Sequence, residues 1–202
     1  MKYLIMDKWI KTSSFGHVNK RLLLKDGVLS LDNNAIDLQT VTGFKYGIVS
    51  LRFDMFPVGR KFEINLRNSE GEFRIILRSY FGNAKAYFGE MYNSIFEAIW
   101  DDTAVRLINC AVDELVRGES LQIGNCILSR NGITLNTFLI DWADLTYQKN
   151  YDKLTINSKS NHKIWTNLYY LETYNTHVMM SVLVMMSVLD WIFEHGGVDD
   201  LS

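Results

Sequence analysis

The chain has one proline in 202 residues, Pro57, and two cysteines, Cys110 and Cys126. With so little proline there is no Pro-rich spacer, which predicts parts that pack closely and are not strung on a flexible tether. Two cysteines without a CxxC pair do not make the disulfide framework of a secreted domain, and they read as two buried thiols. Basic excess is missing too. Lys and Arg number 21 against 23 Asp and Glu, for a net charge of −2. Nucleic-acid binders draw most of their affinity from neutralising phosphates, so this balance argues against a nucleic-acid partner. Lys2, Asp7 and Lys8 interrupt the apolar residues of the first ten positions, which excludes the h-region of a signal peptide there. The longest apolar stretch, Val178 to Phe193, is shorter than the roughly 20 residues of a bilayer span and contains Ser181, Ser187 and Asp190. It reads as a buried helix, with no stable membrane insertion. These absences lead to the expectation of a cytoplasmic protein.

Catalytic and metal-binding patterns are missing as well. His17, His162, His177 and His195 are scattered, and none sits in a zinc spacing such as HExxH. Surface or capping histidines are the simpler account. No serine lies in a G-x-S-x-G elbow, and Gly-rich phosphate loops are absent. The expectation is therefore no catalytic residue, no cofactor and no metal.

What the sequence does contain is a weak internal repeat. Lys25-Asp26-Gly27-Val28-Leu29-Ser30-Leu31 resembles Arg130-Asn131-Gly132-Ile133-Thr134-Leu135, with the glycines 105 positions apart. Asp-Gly and Asn-Gly are hairpin signals, because the turn needs positive φ at its central residues. Ile36-Asp37-Leu38-Gln39-Thr40-Val41 parallels Ile140-Asp141-Trp142-Ala143-Asp144-Leu145 at an offset of 104. Alternating runs follow in each half. Ile48–Phe53, Phe62–Leu66 and Phe73–Leu77 form the first set; Leu145–Tyr147, Leu154–Ile156 and Ile164-Trp165 form the second. Each half then closes with a helix, the first capped by Asn83 and the second by Asn175 and stopped by Gly196 and Gly197. A further helix between the halves carries Val105, Ile108, Val112, Leu115 and Val116 on one stripe, with Asp101, Asp102 or Thr103 as cap and Gly118 as stop.

That order resembles the pleckstrin-homology (PH) superfold, and the second half is similar to bacterial PH-like and GRAM-like domains. The resemblance implies an α+β protein of two PH-like barrels in tandem, each of antiparallel strands closed by a C-terminal helix and packed through those helices. The halves would be residues 1–101 and residues 102–202, the second with a leading helix. A PH-like scaffold implies binding and says little about the ligand. The basic residues nearest a PH-type headgroup site are Lys20, Arg21 and Lys25, with only Arg130 in the second half, too few for a phosphoinositide site.

Two groups of residues stand out as partner-binding candidates. Asp141 and Asp144 flank Trp142 and could hold a cation or a basic partner, although solvated turn residues are the simpler account. Two further acidic pairs, Asp101-Asp102 and Asp199-Asp200, suit a helix N-terminus and a polar tail. The closing helix from Thr176 has almost no polar face, so residues such as Met179 and Met186 must bury against the other half or against another molecule. Trp165, Tyr169, Tyr170 and Tyr174 add aromatic density to the same half. The reading is a non-catalytic binding protein with a protein partner. The alternative is an immunity protein that neutralises a bacterial toxin, and an enzyme without a recognisable motif comes last.

Overall fold

In the computed structural model, which describes residues 6–16 and 18–194 and the side chains up to residue 186, contacts divide the chain into two units, Met1–Arg106 and Leu107–Ser202. The first unit begins with β1 (Met6–Lys11), β2 (Asn19–Lys25), β3 (Val28–Leu31) and β4 (Asn34–Asp37), paired in that order into one antiparallel sheet. The turn between β2 and β3 is Asp26-Gly27, with φ of 52° and 78°. Both residues are left-handed, as the two-residue hairpin requires. A 3-10 turn at Leu38–Thr40, begun by the Asp37 carboxylate accepting the Gln39 N–H at 2.9 Å, leads to a second sheet. That sheet is β5 (Gly43–Phe53), β6 (Phe56–Arg67) and β7 (Glu72–Tyr80), again in sequence order. The Asn68 side chain closes the turn from β6 to β7 by accepting the N–H groups of Glu70 and Gly71, each at 3.0 Å.

α1 (Lys85–Trp100) lays Phe88, Tyr92, Ile95 and Ile99 into the core, the helical spacing visible in the sequence. Phe62 of β6 meets Tyr92 with ring centroids 5.7 Å apart. Asn83 does not cap α1. Ala84 holds the cap position in a left-handed conformation without a side-chain bond, and the Asn83 carbonyl instead accepts the Ser79 hydroxyl. α1 also does not end near Asp101. A π-helical turn, Asp101–Val105, continues it directly into α2 (Arg106–Val116). Asp101 and Asp102 thus sit inside one unbroken helical path and cap nothing. One bond within the helix and two to a distant turn hold it there: Thr103 is buried and donates its hydroxyl to the Ile99 carbonyl at 2.5 Å, and Arg106 donates to Leu38 O and Val41 O on either side of the 3-10 turn's end. Gly118 (φ 81°) ends the helix, with its N–H on Leu115 O.

The second unit repeats the strand order. β8 (Leu121–Ile123), β9 (Cys126–Ser129), β10 (Gly132–Leu135) and β11 (Phe138–Asp141) form one sheet. A 3-10 turn follows at Trp142–Asp144, and then a sheet of β12 (Leu145–Lys149), β13 (Lys153–Ser158) and β14 (Trp165–Tyr169). α3 (Thr176–Glu194) comes last. Its core joins Ile108, Ala111 and Leu115 of α2 to Leu128, Ile133, Ile156 and Leu168 of the strands and to Val178, Met179, Val182 and Leu183 of α3. Burying each Val, Leu, Ile or Met side chain among these stabilises the fold by roughly 1.5–3 kcal/mol.

Two sequence expectations are corrected here. Strand predominates among the residues whose side chains are described, with 47% in strands and 27% in helices, and the four small antiparallel sheets found there stay open; none closes into a barrel. Among the described residues no ladder joins β4 to β5 or β11 to β12. Closure needs strands long enough to tilt, stagger and pair at both edges. The four-residue strands β3, β4, β10 and β11 reach only about 13 Å each, and a 3-10 turn separates each sheet from the next. The glycine match is also displaced by one position. Val28 and Gly132 begin β3 and β10, and Asn34 and Phe138 begin β4 and β11, each pair 104 positions apart. Gly27 therefore corresponds to Asn131. Gly132 is a strand residue at φ 145°, where a Cβ would lie 2.1 Å from the Ile140 carbonyl oxygen.

Candidate functional site

Most of the residues singled out by sequence turn out to hold the fold. Trp142 is half-buried against the second unit's core and donates its indole N–H to Arg130 O at 2.9 Å. Asp144 closes the loop after β13. It accepts Ser158 Oγ at 2.5 Å, the Ser160 N–H at 2.8 Å and Ser160 Oγ at 3.0 Å. The Ser158 hydroxyl bond, helped by the Ser160 N–H and hydroxyl and by Lys159, holds its carboxyl below the usual range. Asp141 is exposed at the end of β11. The two carboxylates thus lie at one turn, but Asp144 is engaged by that turn.

Met179 is fully buried in the second unit's core, and Met186 is partly buried. The expectation of a helix covered on every side meets an exception, because Val184 and Met185 are 48% and 41% exposed. The expectations for Ser187 to Leu189, His17, His195, Gly196, Gly197, Asp199 and Asp200 lie outside the described side chains and residues. His162 is exposed. His177, at the start of α3, is buried, and burial pushes its pKa down to about 4. Cys126 is buried and its thiol is pushed up to about 12 by desolvation, whereas Cys110 is exposed, contrary to the expectation of two buried thiols. Arg21 forms a two-pronged pair with Asp7 at 2.9 and 2.7 Å, and Lys20 lies 3.7 Å from Asp32. Those cations of the first hairpin are already matched by carboxylates. Among the described residues no three His, Cys, Asp or Glu side chains group as metal ligands, and no helix is long and apolar enough to cross a membrane.

The residues that sequence reasoning missed lie in the first unit. β5 and β6 run on past the end of β7, whose last residue, Tyr80, pairs with Gly59. Beyond that point they form a two-stranded ribbon. From Val49 to Lys61 no residue is buried. The turn is Asp54-Met55, with Asp54 at φ 55°, and Phe53 pairs with Phe56 across it. Phe53, Met55 and Phe56 are 77%, 83% and 73% exposed.

The ribbon is tied down at its root. Val58 has no partner in the β5–β6 ladder, so the register shifts by one between Leu51/Gly59 and Arg52/Pro57. The Val58 carbonyl instead accepts the Phe81 N–H at 2.8 Å. Phe15 stacks on Tyr80 at 5.3 Å and meets Phe81 edge-on at 6.2 Å. Gly59 permits the exit from the sheet, because a Cβ there would lie 2.1 Å from Ser79 O. A signal for this ribbon was available in Phe53-Asp54-Met55-Phe56, three apolar residues around one, Asp54, that tolerates a left-handed turn. Without glycine at the turn it reads as one apolar run.

Comparison with family models, with curated proteins and with solved structures finds no match to this chain.

Proposed function

We propose that this chain works without catalysis, by binding another protein, and that the β5–β6 ribbon of the first unit makes the contact. The observation that carries the reading is the exposure of Phe53, Met55 and Phe56 on a segment that contributes nothing to the core. Three large apolar side chains held in water on ordered backbone are an unfavourable arrangement for an isolated protein, and such patches mark interaction sites. A two-stranded ribbon is marginal by itself. Here the Val58–Phe81 bond and the Phe15–Tyr80 stack anchor it, which supports a rigid presenting element.

The repeated order of four strands, a 3-10 turn, three strands and a helix supports a duplicated scaffold, and keeps a PH-like origin of the two units as a proposal without the barrel. The test is affinity capture from the lysate of cells that make the protein, comparing the natural chain with the double variant Phe53→Ser, Phe56→Ser. The expected outcome is a protein retained by the first and lost from the second at equal folded stability. Equal retention by both would remove the ribbon from the binding reading.

A further inference from the structure

The two faces of the ribbon differ in chemistry, and the difference describes the partner. In the sheet, Phe62, Ile64 and Leu66 of β6 point into the core, while Lys61 points the other way. Ser50, Arg52 and Arg60 continue the inward face: Ser50 pairs with Arg60, and Arg52 is two residues along β5 from Ser50. Leu51, Phe53 and Tyr80 continue the outward face. Phe56 would follow Phe62 and Ile64 by simple alternation. The unpaired Val58 moves it to the opposite face, where it pairs with Phe53. The pattern of the sheet is thus inverted on the ribbon, with aromatic side chains outward and arginines on the continuation of the core side. Neither Arg52 nor Arg60 has an ion-pair partner among the described residues.

Resting on the binding reading above, we infer that the partner is a protein with a groove that receives this ribbon edgewise, apolar on the wall that meets Phe53 and Phe56 and lined with carboxylates on the wall that meets Arg52 and Arg60. Charge complementarity carries the second half of that statement. Two exposed guanidiniums without internal partners gain most from bidentate pairing with carboxylates once a partner excludes water. An anionic bilayer, the other surface with apolar depth and negative charge, fits less well. Insertion of Phe53, Met55 and Phe56 would carry Asp54 at the turn, and Arg52 beside it, into the same layer, where charged side chains are costly. A groove with two unlike walls accepts a two-faced ribbon without burying either charge unmatched.

The experiment is site-specific cross-linking with the full chain in the lysate of cells that make it. A benzophenone amino acid replaces Phe56, and in a separate variant Arg52→Lys and Arg60→Lys are treated with a water-soluble carbodiimide, which joins amines only to carboxylates. Expected are benzophenone adducts to apolar residues of one protein, carbodiimide links from positions 52 and 60 to Asp or Glu of that same protein, and a fall in benzophenone yield of about tenfold when Arg52→Glu and Arg60→Glu are added, the loss typical of a removed charged anchor.

Benzophenone adducts to a protein that survive the double charge reversal, or that lack the carbodiimide links, would overturn the acidic wall and leave the ribbon as a binding element. Adducts to phospholipid in place of protein would overturn the inference in favour of a membrane. No adduct above that of a probe placed at exposed Tyr151 would remove both the inference and the binding reading. Melting temperatures of the variants separate these results from misfolding. All substituted side chains are exposed, so the melting temperatures are expected to match the natural chain.

Discussion

In the first unit β5 and β6 have 11 and 12 residues; in the second, β12 and β13 have 5 and 6, joined through Asn150, Tyr151 and Asp152. The strand orders are otherwise the same, and so are the 3-10 turns at Leu38–Thr40 and Trp142–Asp144. The second unit shows that a three-stranded sheet of this kind needs no ribbon. What the first unit adds beyond Gly59 serves something other than the core. A second difference lies at the 3-10 turns. Asp37 caps its turn by accepting the Gln39 N–H, whereas Asp141 makes no such bond and the neighbouring Trp142 is pinned to Arg130 O instead. Equivalent positions thus perform the same geometric task with different chemistry.

The sharpest way to break the comparison is at the two glycines. Gly132→Ala puts a methyl group 2.1 Å from the Ile140 carbonyl oxygen at φ 145° and should cost about 3 kcal/mol through clash and backbone strain. Gly27→Ala, at φ 78° with nothing within 4 Å, should cost only about 1 kcal/mol. Chemical denaturation of both variants checks this. Equal losses would restore the glycines as equivalent positions.

Acid should separate the units. His177 of the second unit has its pKa lowered by burial to about 4, from an ordinary 6.5. Between pH 6.5 and about 4 the unfolded chain takes up a proton that the folded chain refuses, so stability falls as pH falls. The full loss, reached below about pH 4, is about 3.5 kcal/mol at about 1.4 kcal/mol per pKa unit. His177→Gln should flatten that part of the profile. Glu63 of the first unit behaves differently. Its carboxylate is buried, which raises its pKa, but the Lys61 ammonium at 2.6 Å, the Asn65 amide at 2.8 Å and Arg74 outweigh burial and hold it below the ordinary value. Its contribution is present above pH 4.5 and is lost as pH falls through the lowered value. Unfolding followed in each unit by hydrogen exchange should show the second unit loosening at higher pH, and the reverse order would contradict both assignments.

Smaller effects sharpen the contrast between ribbon and core. Phe53→Ser, Met55→Ser and Phe56→Ser should each change stability by less than about 0.5 kcal/mol, as exposed positions do, whereas Phe62→Ala, six residues beyond Phe56 and buried, should cost about 3 kcal/mol or more. The smallest test changes no stability at all. In the folded protein a thiol reagent should modify exposed Cys110 readily and leave Cys126 untouched until unfolding, because Cys126 is buried and its thiolate is disfavoured.

Much of the local structure was legible. Helical spacing located Phe88, Tyr92, Ile95 and Ile99, Gly118 ended α2 as expected, and Ile36-Asp37-Leu38 and Ile140-Asp141-Trp142 do mark matching strand ends. The candidate site was less legible. Asp144 looked available because its partners, Ser158 and Ser160, come from a loop that only folding brings to it. The sequence assigns Met179 to a contact with the other half or with another molecule, because composition cannot say which turn of an apolar helix faces its own core, and the fold buries it in the core of its own unit. The ribbon was invisible as a surface because period-two alternation gives the faces of a strand but not where its neighbours stop, and Phe53 and Phe56 share a face only because Val58 drops out of the ladder.

By itself, then, the sequence determined the elements and their repetition, since turn chemistry and hydrophobic period act over a few residues and need no distant partner. Tertiary structure alone decided that the sheets stay open, that the helix from Lys85 passes through a π turn into α2, and that Phe53, Met55 and Phe56 stand in solvent. The last two of those outcomes depend on residues far apart in the chain: Arg106 reaching Leu38 at the helix junction, and Phe81 bonding Val58 and β7 ending opposite Gly59 at the ribbon. Exposure is a property of what neighbouring strands fail to cover, and no short stretch of sequence records it.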